Sequence, residues 1–291
     1  MRCEYRNQGP GRPLGCEKMS IQLIAMDLDG TALQPDHQTI SEGLQQALQE
    51  AHRRGIRIVP VTGRPYRLLP PFLHNHPVWE SEAVLCNGAE IRDMTTGQRT
   101  SYFPIPREQL ESILSVSEDY DLPVEFNAEG RLYLTEKTLN REKEEERMQY
   151  HCMEFLPQHG ILVEDLHSCC DMYVEKVHFN CIRPDCWENV EQALKALNVS
   201  VVCEKPPNLE VTHRQATKGQ GLRSLAETLQ IPMKNVMALG DSGNDLSMLE
   251  AAGLSVAMGS APEPIRAAAD YVTGTNLQDG AAAAIRRFVL I

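Results

Sequence analysis

The chain has 291 residues, with 28 Lys+Arg against 40 Asp+Glu, a formal net charge of -12 and 42% hydrophobic residues. A chain of this length buries roughly three quarters of the surface its unfolded form exposes, so it can fold without disulfide or metal staples. The acid excess argues against nucleic acid or an anionic membrane as partner, because both reward a basic surface, and no stretch approaches the ~18 consecutive apolar residues that span a bilayer.

Residues 1–18, carrying Gly, Pro and charge without the apolar middle of an export signal, read as a disordered extension or as sequence upstream of a start at Met19. Nine cysteines without an export signal read as reduced thiols, and an odd number cannot pair off completely within one chain. The expected location is the cytoplasm. From Ile21 the apolar run IQLIAMDLDGT predicts a buried parallel strand that ends in acids and glycine. Ser41 then reads as the N-cap of an amphipathic helix closed by Gly55. IRIVPVTGR predicts a second strand, made irregular by Pro60, and AVLCNGAEI a third that ends at the Asn87-Gly88 turn.

Between residues 93 and 208 the pattern changes. Strands there alternate apolar and polar residues, as in VEFNAEGRLYLTE, with Ala128-Glu129-Gly130 as a hairpin turn. REQLESILSVSEDY and DCWENVEQALKAL predict amphipathic helices on one side of that sheet, and residues 136–155 a charged helix with a solvated face. After Asn208 the first pattern resumes, with strands at NVMALG, GLSVAMG and ADYVTG alternating with helices. The expected fold class is therefore α/β, with a Rossmann-like parallel-sheet core formed by residues 19–92 and 209–291. An α+β cap, residues 93–208, is inserted into it.

The acids that stand out sit at carboxyl ends of predicted strands, where open parallel sheets bind ligands. Asp27 and Asp29 bracket Leu28, and Asp241 and Asp245 bracket Ser242-Gly243-Asn244. Converging carboxylates repel unless a cation neutralises them, and hard oxygen ligands suit Mg²⁺. Thr62-Gly63 offers a hydroxyl and an unhindered N–H, and Lys218 places a cation at a helix start. Metal, neutralising charge and small donors are the parts that phosphoryl transfer requires. Each motif alone reads as turn chemistry or surface; their joint order and placement are what point to a site. Arg64 either reaches that site or pairs with a surface acid. Cys181-x4-Cys186 lacks paired zinc-ligand spacing, and His74, His76, His151, His167 and His178 fit no helical metal motif.

MDLDGT, VTGR, Lys218 and ALGDSGNDLSML, in this order, resemble the four motifs of the haloacid dehalogenase-like superfamily. CNGA, KGQGL, AGLSVAMG and AADYVTG resemble its Cof-type phosphatase branch. Ala32 and the lead-in THRQATKG depart from the commoner pattern and bear only on loop shape. The resemblance covers nearly the whole chain after Met19 and implies a Mg²⁺-dependent phosphatase of small phosphorylated metabolites, acting as a monomer or weak homodimer. It implies Asp27 as nucleophile and Asp29 as general acid and base. Mg²⁺ would be held by Asp27, the Asp29 carbonyl and Asp241, with Asp245 in support. Leu28 (through its N–H), Thr62, Gly63, Lys218 and Asn244 would hold the phosphoryl group. Two alternatives remain open on sequence: a phosphosugar mutase of the same fold, and a non-catalytic phosphometabolite sensor.

Overall fold

The computed structural model describes residues 20–148, 151–203 and 207–291; the expected extension at 1–18 lies outside them. In chain order the first unit contains β1 (Leu23–Met26), α1 (Glu42–Arg53) and β2 (Arg57–Pro60), followed by β3 (Glu82–Leu85), β4 (Glu90–Asp93) and β5 (Arg99–Tyr102). Next come α2 (Arg107–Asp119), β6 (Val124–Ala128), β7 (Arg131–Thr135), α3 (Glu136–Lys143), α4 (Leu156–His159) and β8 (Gly160–Val163). β9 (Val174–Phe179), α5 (Trp187–Lys195), β10 (Val199–Val202) and β11 (Leu209–His213) complete the middle of the chain. The last part holds α6 (Lys218–Thr228), β12 (Val236–Gly240), α7 (Leu246–Ala251), β13 (Leu254–Ala257), α8 (Glu263–Ala268), β14 (Tyr271–Val272) and α9 (Gly280–Phe288).

The core sheet is wholly parallel, in the order β14-β13-β12-β1-β2. β1 is buried throughout, and its side chains divide by the period of two. Ile24 and Met26 pack with Leu44, Leu48 and Ile285 of α1 and α9, while Leu23 and Ala25 pack with Leu222, Leu225 and Met248 of α6 and α7. Helices on both faces explain why these strands read as continuous apolar runs. The chain leaves β1 for β2 on one side and returns through β12 on the other. The crevice at this reversal opens outside the carboxyl ends of β1 and β12.

A second sheet, ordered β10-β11-β9-β6-β7-β8, is antiparallel apart from the β7–β8 pair. Its apolar face, with Phe126, Val177, Phe179 and Val211, packs against Leu110, Ile113 and Leu114 of α2 and Val190 and Leu194 of α5. The Glu129-Gly130 turn has φ of 52° and 77°, the left-handed pair that closes a two-residue hairpin.

Three expectations need correction. The segment AVLCNGAEI is not one more strand of the core sheet. β3 meets that sheet through a single parallel bridge, Val61 to Val84, and pairs antiparallel with β4, because Cys86 and Asn87 adopt φ of 48° and 56° and turn the chain back. Residues 136–155 do not form one solvated helix: α3 ends at Lys143, shorter helical turns follow, and Glu142 is fully buried. Finally, β11 pairs with β10 and β9, so Leu209–His213 belong to the second sheet rather than to the returning core segment expected from 209. Leu209 and Val211 fill that sheet's apolar face, which fixes the assignment.

Candidate active site

The register of β1 against β12 pairs Met26 with Leu239, so the residues that follow each strand emerge side by side. The Asp27 N–H donates to the Leu239 carbonyl at 3.0 Å, fixing the first acid there. Gly30, at φ +77°, lets the loop turn over the second strand end. A Cβ on it would lie 2.3 Å from the Asp241 Oδ2 atom. Lys218 opens α6 behind the N-cap Thr217, and its buried ammonium donates at 2.6 Å to both Asp27 Oδ1 and Asp245 Oδ1. The other Asp245 oxygen accepts the backbone N–H groups of Asp241 and Ser242 at 2.9 Å. Asp245 is thus a brace, with both oxygens occupied by its own chain.

Oxygens of Asp27, Asp241 and Asp245 lie within 4.8 Å of one another. Among the described residues three carboxylates, Asp27 and Asp245 buried and Asp241 half-buried, face one ammonium, which leaves two negative charges in excess. The protein's own fields register this. Burial and the Asp245 charge push Asp27 well above the usual carboxylate range against the pull of Lys218, and the same two causes raise Asp241 to about 6. An all-oxygen donor set short of two positive charges fits a hard divalent cation.

Asp29 lies apart from that triad. Arg64 forks onto it, Nε to Oδ2 and Nη2 to Oδ1, each at 2.6 Å, and His37 Nδ1 lies 2.7 Å from Oδ1. Burial opposes ionisation, yet the His37 and Arg64 bonds outweigh it and hold the carboxyl far below its ordinary range. Between the two acids Leu28 sends its side chain into the core. Thr62 is buried, with its hydroxyl accepting the Arg64 N–H at 3.1 Å. At Gly63 a Cβ would lie 2.9 Å from Asn87 Oδ1 and 3.5 Å from Asn244 Nδ2, so a side chain there would fill the approach to both amides. Asn244 donates to Asn87 Oδ1 at 3.2 Å, and its own buried Oδ1 has no partner among the described residues.

A cavity of about 300 Å³ joins these groups to the second sheet. Its floor includes Asp27, Asp29, Thr62, Gly63 and Asn244, and its roof Glu125, Asn127, His151, His178 and Asn180. Lys176 links the two, donating to the Gly63 carbonyl at 2.8 Å and pairing with Glu210, which also accepts Asn87 Nδ2 at 2.7 Å. Burial would raise Glu210, but the Lys176 charge brings its carboxyl down to about 2. Burial followed by that same ammonium lowers His178 to about 4, leaving a neutral imidazole 2.6 Å from the Asn127 amide.

The family model for haloacid dehalogenase-like hydrolases matches residues 24–285. The chain belongs to this family. Among its relatives, the 5-amino-6-(5-phospho-D-ribitylamino)uracil phosphatase YcsE of Bacillus subtilis is 32% identical over 274 residues, spanning 94% of this chain and 98% of its own. The phosphatase YwpJ of the same organism is 31% identical over 283 residues, spanning 90% of this chain and 98% of its own. A solved haloacid dehalogenase-like hydrolase of B. subtilis superposes with a TM-score of 0.78 at 29% identity, covering 92% of this chain and all of that one. The haloacid dehalogenase-like fold and its Cof-type phosphatase branch are thereby established, and the protein is a phosphoric monoester hydrolase.

Within this Cof-type scaffold, Asp27, Lys218, Asp241 and Asp245 converge, and Thr62, Gly63 and Asn244 stand beside them. The Asp29 carboxylate does not join the cluster. Arg64 pairs with an acid of the site rather than with one elsewhere on the surface. Sequence reasoning missed the roof, although a signal was present. Glu125 and Asn127 on β6, Lys176 and His178 on β9, and Glu210 and Thr212 on β11 alternate with apolar residues. All but His178, 21% exposed at its side chain, are buried. A polar face built from Asn, His, Lys and Glu, instead of freely solvated residues, marks a face with something to cover.

Proposed function

We propose that the protein hydrolyses small phosphorylated metabolites with Mg²⁺, through a covalent aspartyl-phosphate on Asp27. The observation that carries this reading is the position of Asp27 at the cavity floor, its Oδ1 held at 2.6 Å by a buried lysine and a second acid nearby. Asp27 and Asp241, with the Asp29 carbonyl, would hold the ion, braced by Asp245; when bound it neutralises phosphoryl charge. An Asp27 oxygen attacks phosphorus as the bond to the leaving oxygen breaks, and that oxygen takes a proton from Asp29. Asp29, now ionised, removes a proton from water, which attacks phosphorus and releases Asp27 and inorganic phosphate. The Leu28 N–H, Thr62, Gly63, Asn244 and Lys218 hold the phosphoryl oxygens throughout. The Arg64 and His37 contacts hold Asp29 ionised, which suits the second half of the cycle; for the first half Asp29 must take up a proton as substrate binding loosens those contacts.

The roof reads the leaving group. Among the described residues lining the cavity there is no Phe, Tyr or Trp to stack on a flat ring, whereas amide, imidazole and carboxylate groups are plentiful. That lining favours a hydroxyl-rich leaving group such as a sugar or sugar alcohol over an aromatic cofactor. The relative YcsE is named for a phosphoribityl substrate, in keeping with this preference. On the strand pairing, we place the cap between residue 93 and His213.

A panel of phosphorylated sugars, sugar alcohols and cofactors, with free phosphate as readout, tests the proposal. Release from the polyol members that EDTA abolishes and Mg²⁺ restores is expected. Full activity after exhaustive EDTA treatment, or no release from any member, contradicts it. Isomerised product without free phosphate would favour the mutase reading.

A further inference from the structure

A second group of charged side chains lies in the roof, outside the triad at the core. Glu125 on β6, Glu142 on α3 and His151 present ligand atoms that all fall within 4.8 Å of one another. Glu125 and Glu142 are 1% and 0% exposed at their side chains, and His151 Nε2 stands 2.8 Å from Glu125 Oε1 and 4.0 Å from Glu142 Oε2. The Asn180 amide donates to both acids, at 3.2 Å to Glu125 Oε2 and at 2.8 Å to Glu142 Oε1. One oxygen of each carboxylate is therefore tied back while the other turns toward the imidazole. Glu142 Oε2 is buried and has no hydrogen-bond partner among the described residues. Lys176, the ammonium of this sheet, is engaged by Glu210 and the Gly63 carbonyl.

Burial and the neighbouring Glu125 charge raise Glu142 to about 8, so among the described residues the two carboxyls stand this close only with a retained proton or with a cation in its place. The outer contacts from Asn180 resemble those that orient metal ligands elsewhere. We propose that Glu125, Glu142 and His151 form a second divalent-cation site, in the cap. One nitrogen and two carboxylate oxygens suit a borderline ion such as Zn²⁺ better than Mg²⁺, which prefers oxygen alone. Glu125, His151 and Asn180 line the cavity, so an ion held there can take hydroxyl oxygens of a leaving group as further ligands. The competing account is a proton shared between the carboxyls.

The test reads metal retention instead of turnover, so it fails separately from the phosphatase reading. The full-length protein is equilibrated with Zn²⁺ under a large excess of Mg²⁺, dialysed and analysed for metal, with folding checked by circular dichroism. Wild type is expected to retain one Zn²⁺ per chain, with nitrogen and oxygen neighbours by X-ray absorption. His151→Ala and Glu142→Gln should each weaken retention roughly 10- to 100-fold, the second keeping the acceptor for Asn180. Asp241→Asn should retain the ion. No retained Zn²⁺, sulfur ligation, retention unchanged in both cap variants, or loss in Asp241→Asn would overturn the proposal.

Discussion

Lys218 is the cation on which the charge balance of the core site turns. Burial alone would strip its proton, but Asp245 and Asp27 hold it charged beyond the ordinary lysine range. Lys218→Met should lower kcat/KM by ~10²-fold or more, comparable to deleting a preorganised donor. It should also lower the melting temperature, because breaking a buried ion pair costs about 3–5 kcal/mol. Steady-state kinetics on the folded fraction, with calorimetry alongside, checks both. An unchanged kcat/KM would pass the role to Arg64 or Lys176. Gly30→Ala carries the same logic to the backbone. A Cβ 2.3 Å from Asp241 Oδ2, at φ +77°, should displace that carboxylate and raise the Mg²⁺ concentration for half-maximal activity; an unchanged metal titration would contradict it. At this scale the core residues were legible only jointly: each short motif alone reads as turn chemistry, and it is their shared order, at strand ends and a helix start, that singles them out. The grip of Arg64 and His37 on Asp29 was not legible, since it depends on how two loops fold toward each other.

Elements were readable where one physical demand acted alone. The buried runs of β1 and β12 and the capped helix behind Ser41 met a single constraint each, and the structure has them as expected. The sequence misled where a residue answers to tertiary context. Glu142 sits in a charged segment yet is buried, and β11 pairs with β9 and β10 although the core segment was expected to resume at residue 209. The junction between β5 and β9 gives a pH prediction. Glu175 accepts from Arg99 at 2.8 Å, while burial first and the Glu90 charge second raise it from 4.5 to about 7. The folded chain therefore keeps a proton that the unfolded chain releases, so this group's contribution to stability falls as pH rises from about 4.5 to 7 and levels off above. Glu175→Gln should gain stability relative to wild type across that window, measured as urea midpoints against pH. Parallel curves would refute the assignment.

At the scale of the whole molecule, a parallel sheet supplies the chemistry and a second sheet covers it. The floor of the cavity carries the residues proposed above to hold the phosphoryl group, which every phosphomonoester shares, so on that proposal discrimination falls to the roof. Asn127→Ala or His178→Ala should raise KM for hydroxylated substrates several-fold while hydrolysis of a small generic phosphoester changes little. A uniform loss across both would move specificity to the loops after Thr62 and Asn87. The central claim is that Asp27 carries the phosphoryl group, and one measurement addresses it directly. The protein is acid-quenched during turnover, the acyl phosphate is reduced with borohydride, and position 27 is read by peptide mass spectrometry. The account predicts homoserine at position 27 in wild type, and neither homoserine nor turnover in Asp27→Asn. Reduction product at another acid, or an Asp27→Asn variant that keeps most of the wild-type rate, would contradict it.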